Sequence, residues 1–189
     1  MNLQELKQQV DLAIKDCQQV IIQNPKAVLS EGDFEKLLAD CISERIGYDA
    51  SNPNPNNFGV FTQMTHYNNL TDRRNAYSDI LIVKPCDIQS GGNKSKGYII
   101  PQSKESFAIE LKYSHGNNRK CVTGAQKDID KFEKYKDDSH YYVIALLSNN
   151  PETSNDETDI LNYYKEKIEE FGEECKNKFF CKVLVKGTE

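Results

Sequence analysis

The chain has 189 residues, of which 38% are hydrophobic, and it carries a formal charge of -5 at neutral pH. A chain of this size can bury one sizeable core, whereas two domains would be cramped, so we expect a single domain over residues 1–189. The negative charge argues against a protein that coats nucleic acid nonspecifically, because such binding depends on summed positive charge. Any contact with nucleic acid must therefore be local.

The N-terminal segment has no basic start followed by an apolar core, and no stretch of the chain is long enough to span a membrane. We therefore expect a cytoplasmic protein without a membrane partner. The six cysteines include no CxxC pair, so the sequence indicates neither a zinc site nor a disulfide framework.

Hydrophobic periodicity predicts an alternation of helices and strands. The first helix is predicted at about residues 2–23, and Asn24-Pro25 should end it. Ser30 favours the start of a second helix, which should end near Gly47. The later predicted elements are strands at 58–65, 77–83 and 107–114, a helix at 122–136, a strand at 141–147, a helix at 156–171 and a strand at 179–185.

Charged side chains interrupt two of these strands. In FAIELKYS, at residues 107–114, alternation places Glu110 and Lys112 on the same face, about 7 Å apart at the usual rise of a strand. Asp79 lies within the otherwise apolar strand YSDILIV, and an acid there needs a partner. Together the three residues suggest a metal-dependent phosphodiesterase.

Each of these residues also has an ordinary structural interpretation. A Glu-x-Lys pair on a strand is typical of a solvated face with a weak ion pair, and Asp79 could instead cap a turn. The co-occurrence of the pair with an acid inside a neighbouring strand favours the catalytic interpretation.

Asp79, the strand that carries Glu110 and Lys112, and a following helix with Gln126 resemble the PD-(D/E)xK nuclease superfamily. The resemblance implies a restriction-endonuclease-like α/β fold with an αβββαβ core over about residues 28–148. A mixed central sheet would be flanked by helices, with an extra N-terminal helix and a C-terminal helix and strand. Three departures stand out: no proline precedes Asp79, the excursion at 85–106 must form a hairpin or flap, and Asp130 replaces the tyrosine typical of one exonuclease branch.

The resemblance also implies a metal centre that uses Mg²⁺ or Mn²⁺. Asp79, Glu110 and the carbonyl oxygen of Leu111 would hold the metal, since Mg²⁺ prefers oxygen ligands and takes few carboxylates from protein. Lys112 would orient or help deprotonate the attacking water and offset charge on the phosphate.

Two helical residues would complete the site. Segment 30–38, SEGDFEKLL, is similar to the superfamily helix that supplies a further glutamate. Glu31 is the first candidate and Glu35 the reserve, because Glu31 lies nearer the apolar arc of the helix. Gln126 could hold Lys112 or the water. Alternatively, Glu31 could simply favour the helix N-terminus, and Gln126 could be an ordinary exposed glutamine.

Four basic residues flank the proposed centre from two sides in the sequence: Arg73, Arg74, Arg119 and Lys120. They could bind phosphates, or they could be scattered solvated charges. The sequence thus predicts a DNA endonuclease, with RNA not excluded as a substrate and a homodimer left open. The alternative is a catalytically inactive nuclease-fold module that binds nucleic acid or protein, which the acidic net charge favours.

Overall fold

Helices and strands alternate along the chain in an α/β arrangement. The computed structural model describes residues 1–66, 76–90, 98–99, 105–114, 118–132, 140–148, 166 and 179–186. Its helices are α1 (Leu3–Gln23), α2 (Glu31–Ile46) and α3 (Asn118–Phe132). Its strands are β1 (Gly59–His66), β2 (Ala76–Val83), β3 (Gln89–Ser90), β4 (Tyr98–Ile99), β5 (Ser106–Tyr113), β6 (His140–Ser148) and β7 (Phe179–Lys186).

Capping interactions define the ends of the first two helices. Asn2 and Glu5 form a reciprocal capping box at the start of α1. Ser30 accepts a hydrogen bond from the backbone N–H of Asp33 at the start of α2, and Gly47 ends that helix in the left-handed conformation, with φ of 66°. The predicted boundaries of both helices are confirmed.

The central sheet has five strands in the order β1-β2-β5-β6-β7. The pairs β1–β2 and β2–β5 are antiparallel, whereas β5–β6 and β6–β7 are parallel. The parallel pair β5–β6 needs a crossover connection, and α3 lies within it. The predicted mixed sheet flanked by helices is therefore confirmed as an α/β fold.

The sheet buries both of its faces. Phe107, Ile109 and Leu111 pack with α1 and α2, whereas Ala108 packs with α3. The alternation predicted for β5 is thus confirmed, because successive side chains of the strand enter different cores. Glu110 and Lys112 belong to the α3 side by the same alternation.

The start of α3 differs from the prediction. The loop predicted at 114–120 is shorter, because α3 begins at Asn118. Cys121 is only 5% exposed and extends the buried face of α3 one turn before Ala125. The predicted apolar face of the helix did not include this residue. Within the polar connection at 83–107, β3 and β4 pair as a short antiparallel hairpin, as expected.

The predicted helix at 156–171 lies outside the described residues, apart from Glu166, which is helical. The last strand, β7, is confirmed at the edge of the sheet. Within the described ranges, no helix is both long enough and apolar enough to cross a membrane.

Candidate active site

Asp79 and Glu110 lie one residue beyond the last paired residues of two adjacent strands. The register pairs Ile80 with Ile109, and continuing it by one residue sets Asp79 opposite Glu110. Leu81 packs in the core on the α3 side, so Asp79, two residues away on β2, points to the same side. The sequence pattern alone could not have paired these acids, because they are separated by the excursion between β2 and β5.

The Asp79 carboxylate is tied to β5. Its Oδ2 accepts a hydrogen bond of 2.6 Å from the backbone N–H of Leu111, and the contact is partly buried. A hydrogen bond to a residue 32 positions away joins two strands and is not the local bond of a turn cap. The carboxylate is therefore held beside the backbone of Leu111, the segment that links Glu110 to Lys112.

Glu110 is a buried acid with only 6% of its surface exposed. A carboxylate removed from water to this extent needs compensating charge or hydrogen bonds. Part of the compensation is electrostatic, because the Glu110 carboxylate lies near enough to raise the pKa of Lys112. A solvated surface pair does not describe this geometry.

The ammonium of Lys112 is held at two points. It donates a 2.8 Å hydrogen bond to the carbonyl oxygen of Leu111 and forms a 2.7 Å ion pair with Oδ2 of Asp128. Burial by itself would lower the pKa of Lys112, but Asp128, with smaller contributions from Glu110 and Asp79, reverses that effect and raises the pKa. Lys112 is therefore protonated at neutral pH.

Sequence reasoning missed Asp128. The side chain is 15% exposed and comes from α3, where Ala125 lies three residues before it on the same helical face. A helical wheel drawn through Cys121 and Ala125 would have placed Asp128 toward the sheet. An acid on a buried helical face was the available signal.

Gly124 makes room for the lysine. A Cβ atom at this position would lie 3.0 Å from Cδ and 3.3 Å from Cε of Lys112, closer than an ordinary van der Waals contact. The glycine thus lets the aliphatic stem of Lys112 cross α3 at close range and reach Asp128.

Gly124→Ala should displace the Lys112 stem by a few tenths of an ångström without unfolding the protein. Alanine favours a helix over glycine by about 1 kcal/mol, which should offset the crowding, so the free energy of unfolding should change by less than about 1 kcal/mol. Any nuclease activity should nevertheless fall by roughly tenfold, because small misplacements of a reacting group are costly. Chemical denaturation and cleavage rates would measure the two effects.

Gly32→Ala is the matched control for that substitution. Its added Cβ would meet only Oγ of Ser30, at 3.8 Å, so α2 gains helix propensity without crowding. Equal cleavage by Gly124→Ala and the wild type would show that the Lys112 stem does not need this space.

Gln126 makes a hydrogen bond within its own helix. Its amide nitrogen donates a 2.7 Å hydrogen bond to Oδ1 of Asp130, one turn later on α3. Asp128 provides the carboxylate that binds the lysine. A role for Gln126 in holding Lys112 or a water remains a prediction.

The two acids of α2 approach the site differently from the prediction. Glu31 is exposed, and its Oε2 accepts a 3.3 Å hydrogen bond from the backbone N–H of Tyr113 at the end of β5. Glu35 is the more buried of the two. Burial raises the pKa of Glu35, Gln63 partly opposes that rise, and the charges of Asp79 and Glu31 add to it. The prediction that Glu31 faces further inward was wrong, because the helix turns Glu35 toward β1 and Asp79.

Gln63 occupies an unusual backbone conformation in the middle of β1. Its φ is 53°, in the left-handed region, although it is not a glycine. The flanking register pairs Thr62 with Ile80 and Met64 with Ser78, so Gln63 lies opposite Asp79. Its side chain donates a 2.6 Å hydrogen bond to Oε2 of Glu35. Such strain often accompanies functional sites, and here it directs an amide at an acid of the candidate site.

Gln63→Gly should be more stable than Gln63→Ala by about 1 kcal/mol, because only glycine relieves the left-handed strain while both variants lose the bond to Glu35. Denaturant unfolding of the two variants gives the comparison. At Thr62, the neighbouring position in β1, the usual order for a strand should hold, with alanine more stable than glycine. The same order at both positions would mean that Gln63 is not strained.

The basic residues are only partly within the described structure. Arg119 and Lys120 are exposed in the first turn of α3, just beyond the end of β5. Arg73 and Arg74 lie outside the described residues. The predicted rim on two sides of the centre therefore remains a prediction.

The oxygen donors of the site suit a hard divalent cation. Asp79 and Glu110 supply carboxylates, and the Leu111 carbonyl is accessible to a cation, since the Lys112 ammonium already reaches it. Mg²⁺ commonly takes one or two carboxylates from protein and keeps several waters. Among the residues that the structure describes, no three acidic, histidine or cysteine side chains form a ready metal-binding cluster.

Comparisons of the chain with protein-family models, curated proteins and solved structures find no match. The geometry around Asp79, Glu110 and Lys112 therefore carries the functional argument. Its distinguishing feature is an opposed acid pair beside a protonated, partly buried lysine.

Proposed function

We propose that this protein is a metal-dependent nuclease that hydrolyses phosphodiester bonds in DNA, acting as an endonuclease. The observation that carries the proposal is the placement of Asp79 opposite Glu110, with the ammonium of Lys112 beside them on the carbonyl of Leu111. These groups come from distant parts of the sequence. They provide oxygen ligands and a fixed positive charge on one face of the sheet.

The order of elements supports a restriction-endonuclease-like fold for this centre. Apart from the β3–β4 hairpin between β2 and β5, the elements follow the order αβββαβ: helix α2, the antiparallel strands β1, β2 and β5, helix α3 and the parallel strand β6. Helix α1 precedes this core and β7 extends its sheet. The proposed acids lie on the second and third strands of the core.

Each proposed ligand has a chemical task. Asp79, Glu110 and the carbonyl of Leu111 would hold Mg²⁺ or Mn²⁺. Such an ion stabilises charge on a nonbridging phosphate oxygen and lowers the pKa of a bound water. The hydrogen bond from the Leu111 N–H to Asp79 orients that carboxylate before a substrate arrives.

Lys112 would act as a cation and not as a base. Its raised pKa keeps the ammonium protonated at neutral pH, so it can donate to the attacking water or to a phosphate oxygen. A positioned positive charge of this kind offsets the negative charge that develops in the transition state.

Helical side chains would support the substrate and the water. The charge of Asp79 raises the pKa of Glu35, so the two carboxylates lie close to each other. Glu35 is therefore the stronger candidate for an acid that binds a metal-bound water, and Glu31 is the second. Arg119 and Lys120 at the start of α3 would contact phosphates next to the cleaved bond, where the N-terminal end of a helix also favours anions.

The test of the proposal is incubation of the purified protein with supercoiled plasmid, linear duplex, single-stranded DNA and RNA. We expect Mg²⁺- or Mn²⁺-dependent cleavage of plasmid that EDTA abolishes. Binding of these substrates without any cleavage would favour the inactive module, a reading supported by the engagement of Lys112 with Asp128 and Leu111. Neither binding nor cleavage would contradict both functions. Size-exclusion chromatography would test whether a homodimer forms.

A further inference from the structure

The ammonium of Lys112 binds the carbonyl oxygen of Leu111, which is also a proposed ligand of the metal ion. It lies 2.8 Å from the oxygen of Leu111, between the strand that carries Glu110 and the helix that carries Asp128. Two cations bound to the same carbonyl oxygen repel each other strongly, because the site is partly shielded from water. An ammonium at this point must therefore weaken the binding of a second cation.

Asp128 determines where that ammonium lies. The carboxylate is 2.7 Å from Nζ of Lys112, and the two side chains are only 15% and 22% exposed. Gly124 lies one turn before Asp128 and has no side chain that would contact the lysine stem. Helix α3 thus provides both the space for the lysine stem and the charge that holds its ammonium on the α3 side of the sheet.

The acid pair also acts on the ammonium. Asp79 accepts a hydrogen bond from the N–H of Leu111, the residue whose carbonyl oxygen binds the ammonium. Glu110 and Asp79 both attract Lys112, although less strongly than Asp128 does, so two sets of carboxylates compete for its charge. Loss of the Asp128 charge would leave the ammonium to Glu110, Asp79 and the Leu111 carbonyl.

We propose that Asp128 is a positioning residue that sets the affinity of the site for a divalent cation, by holding the Lys112 ammonium off the Asp79–Glu110 pair. The inference rests on the proposed function, since it assumes that this pair binds metal. Lys112 would give up the Leu111 carbonyl to a bound cation and keep its ion pair with Asp128, from which it could still contact a phosphate. Asp128 itself contacts neither metal nor substrate in this account.

Isothermal titration of Mn²⁺ into four proteins would test the inference: the wild type, Lys112→Met, Asp128→Asn and the double variant. Lys112→Met should tighten Mn²⁺ binding by roughly tenfold, because a competing positive charge is lost. Asp128→Asn should weaken binding by roughly tenfold, because the ammonium shifts onto the acid pair. Added to Lys112→Met, Asp128→Asn should change the affinity by less than about threefold, since no ammonium remains to be displaced.

Two features keep this test decisive. The double variant removes both members of the Lys112–Asp128 ion pair, so neither is left without its partner, and it keeps the test open if a single variant is unstable. Lys127→Met, an exposed position of α3, controls for the general loss of a positive charge.

The failures of the two proposals are distinguishable. If the wild type binds Mn²⁺ and Asp128→Asn weakens binding equally with and without Lys112→Met, Asp128 acts only through its own charge and the inference is wrong. Unchanged affinity in Lys112→Met would also overturn it. If no protein of the set binds Mn²⁺, the metal site itself is wrong, and the inference fails together with the proposed function.

Discussion

Lys112→Met is expected to lower the rate of DNA cleavage by roughly 10² or more, the usual loss when a group that stabilises developing charge is removed. The same variant should bind a divalent cation more tightly than the wild type. Opposite effects on cleavage and metal affinity follow from the position of the ammonium, which contacts the carbonyl of Leu111, a proposed metal ligand, and is not itself a ligand. Single-turnover cleavage at saturating Mn²⁺ would isolate the chemical effect.

A matched variant separates charge from folding in that experiment. Lys127→Met changes the same residue type at an exposed position of α3 and should cleave like the wild type. Circular dichroism should show that both variants fold. If Lys112→Met cleaved DNA at the wild-type rate, the lysine would have only a structural role beside Asp128.

Asp79→Asn combined with Glu110→Gln should abolish stabilisation by metal and lower cleavage by roughly 10³, since several kcal/mol of transition-state stabilisation depend on the ion. A cation at one hundred times its dissociation constant stabilises the folded state by about 2.7 kcal/mol. For a protein of this size, that corresponds to a rise in Tm of roughly 5–10 °C in the wild type. The double variant should show no rise.

Both substitutions keep the shape of the side chains. The amide oxygen of the asparagine can still accept the hydrogen bond from the Leu111 N–H, so the link between β2 and β5 should survive. Thermal unfolding with and without Mn²⁺ gives the result directly. An equal rise in Tm in the double variant and the wild type would place the metal elsewhere.

Much of the fold was predictable because local signals and burial agree. Asn2, Ser30 and Gly47 mark helix ends with side chains or conformations that suit those positions. The alternation in β5 assigned Glu110 and Lys112 to one face, and the structure confirms it through the two cores. Strand register could not be predicted in the same way, because it depends on turn geometry across long connections.

The finer parts of the candidate site depend on tertiary contacts that the sequence pattern does not encode. Asp128 is an ordinary helical acid until β5 brings Lys112 within 2.7 Å of it. Gln63 has no sequence feature that predicts a left-handed φ, since glycine or asparagine is usual there. The orientation of α2 decides between Glu31 and Glu35, and a helical wheel does not show how a helix tilts over a sheet.

The most direct measurement compares plasmid cleavage by the wild type, Glu110→Gln and Glu44→Gln in Mg²⁺, each with an EDTA control. Glu110 is buried at the proposed centre, whereas Glu44 is an exposed acid near the opposite end of α2. We predict metal-dependent cleavage by the wild type and Glu44→Gln, and a loss of roughly 10² or more in Glu110→Gln. Equal cleavage by all three proteins would contradict the assignment of the active site to β2 and β5.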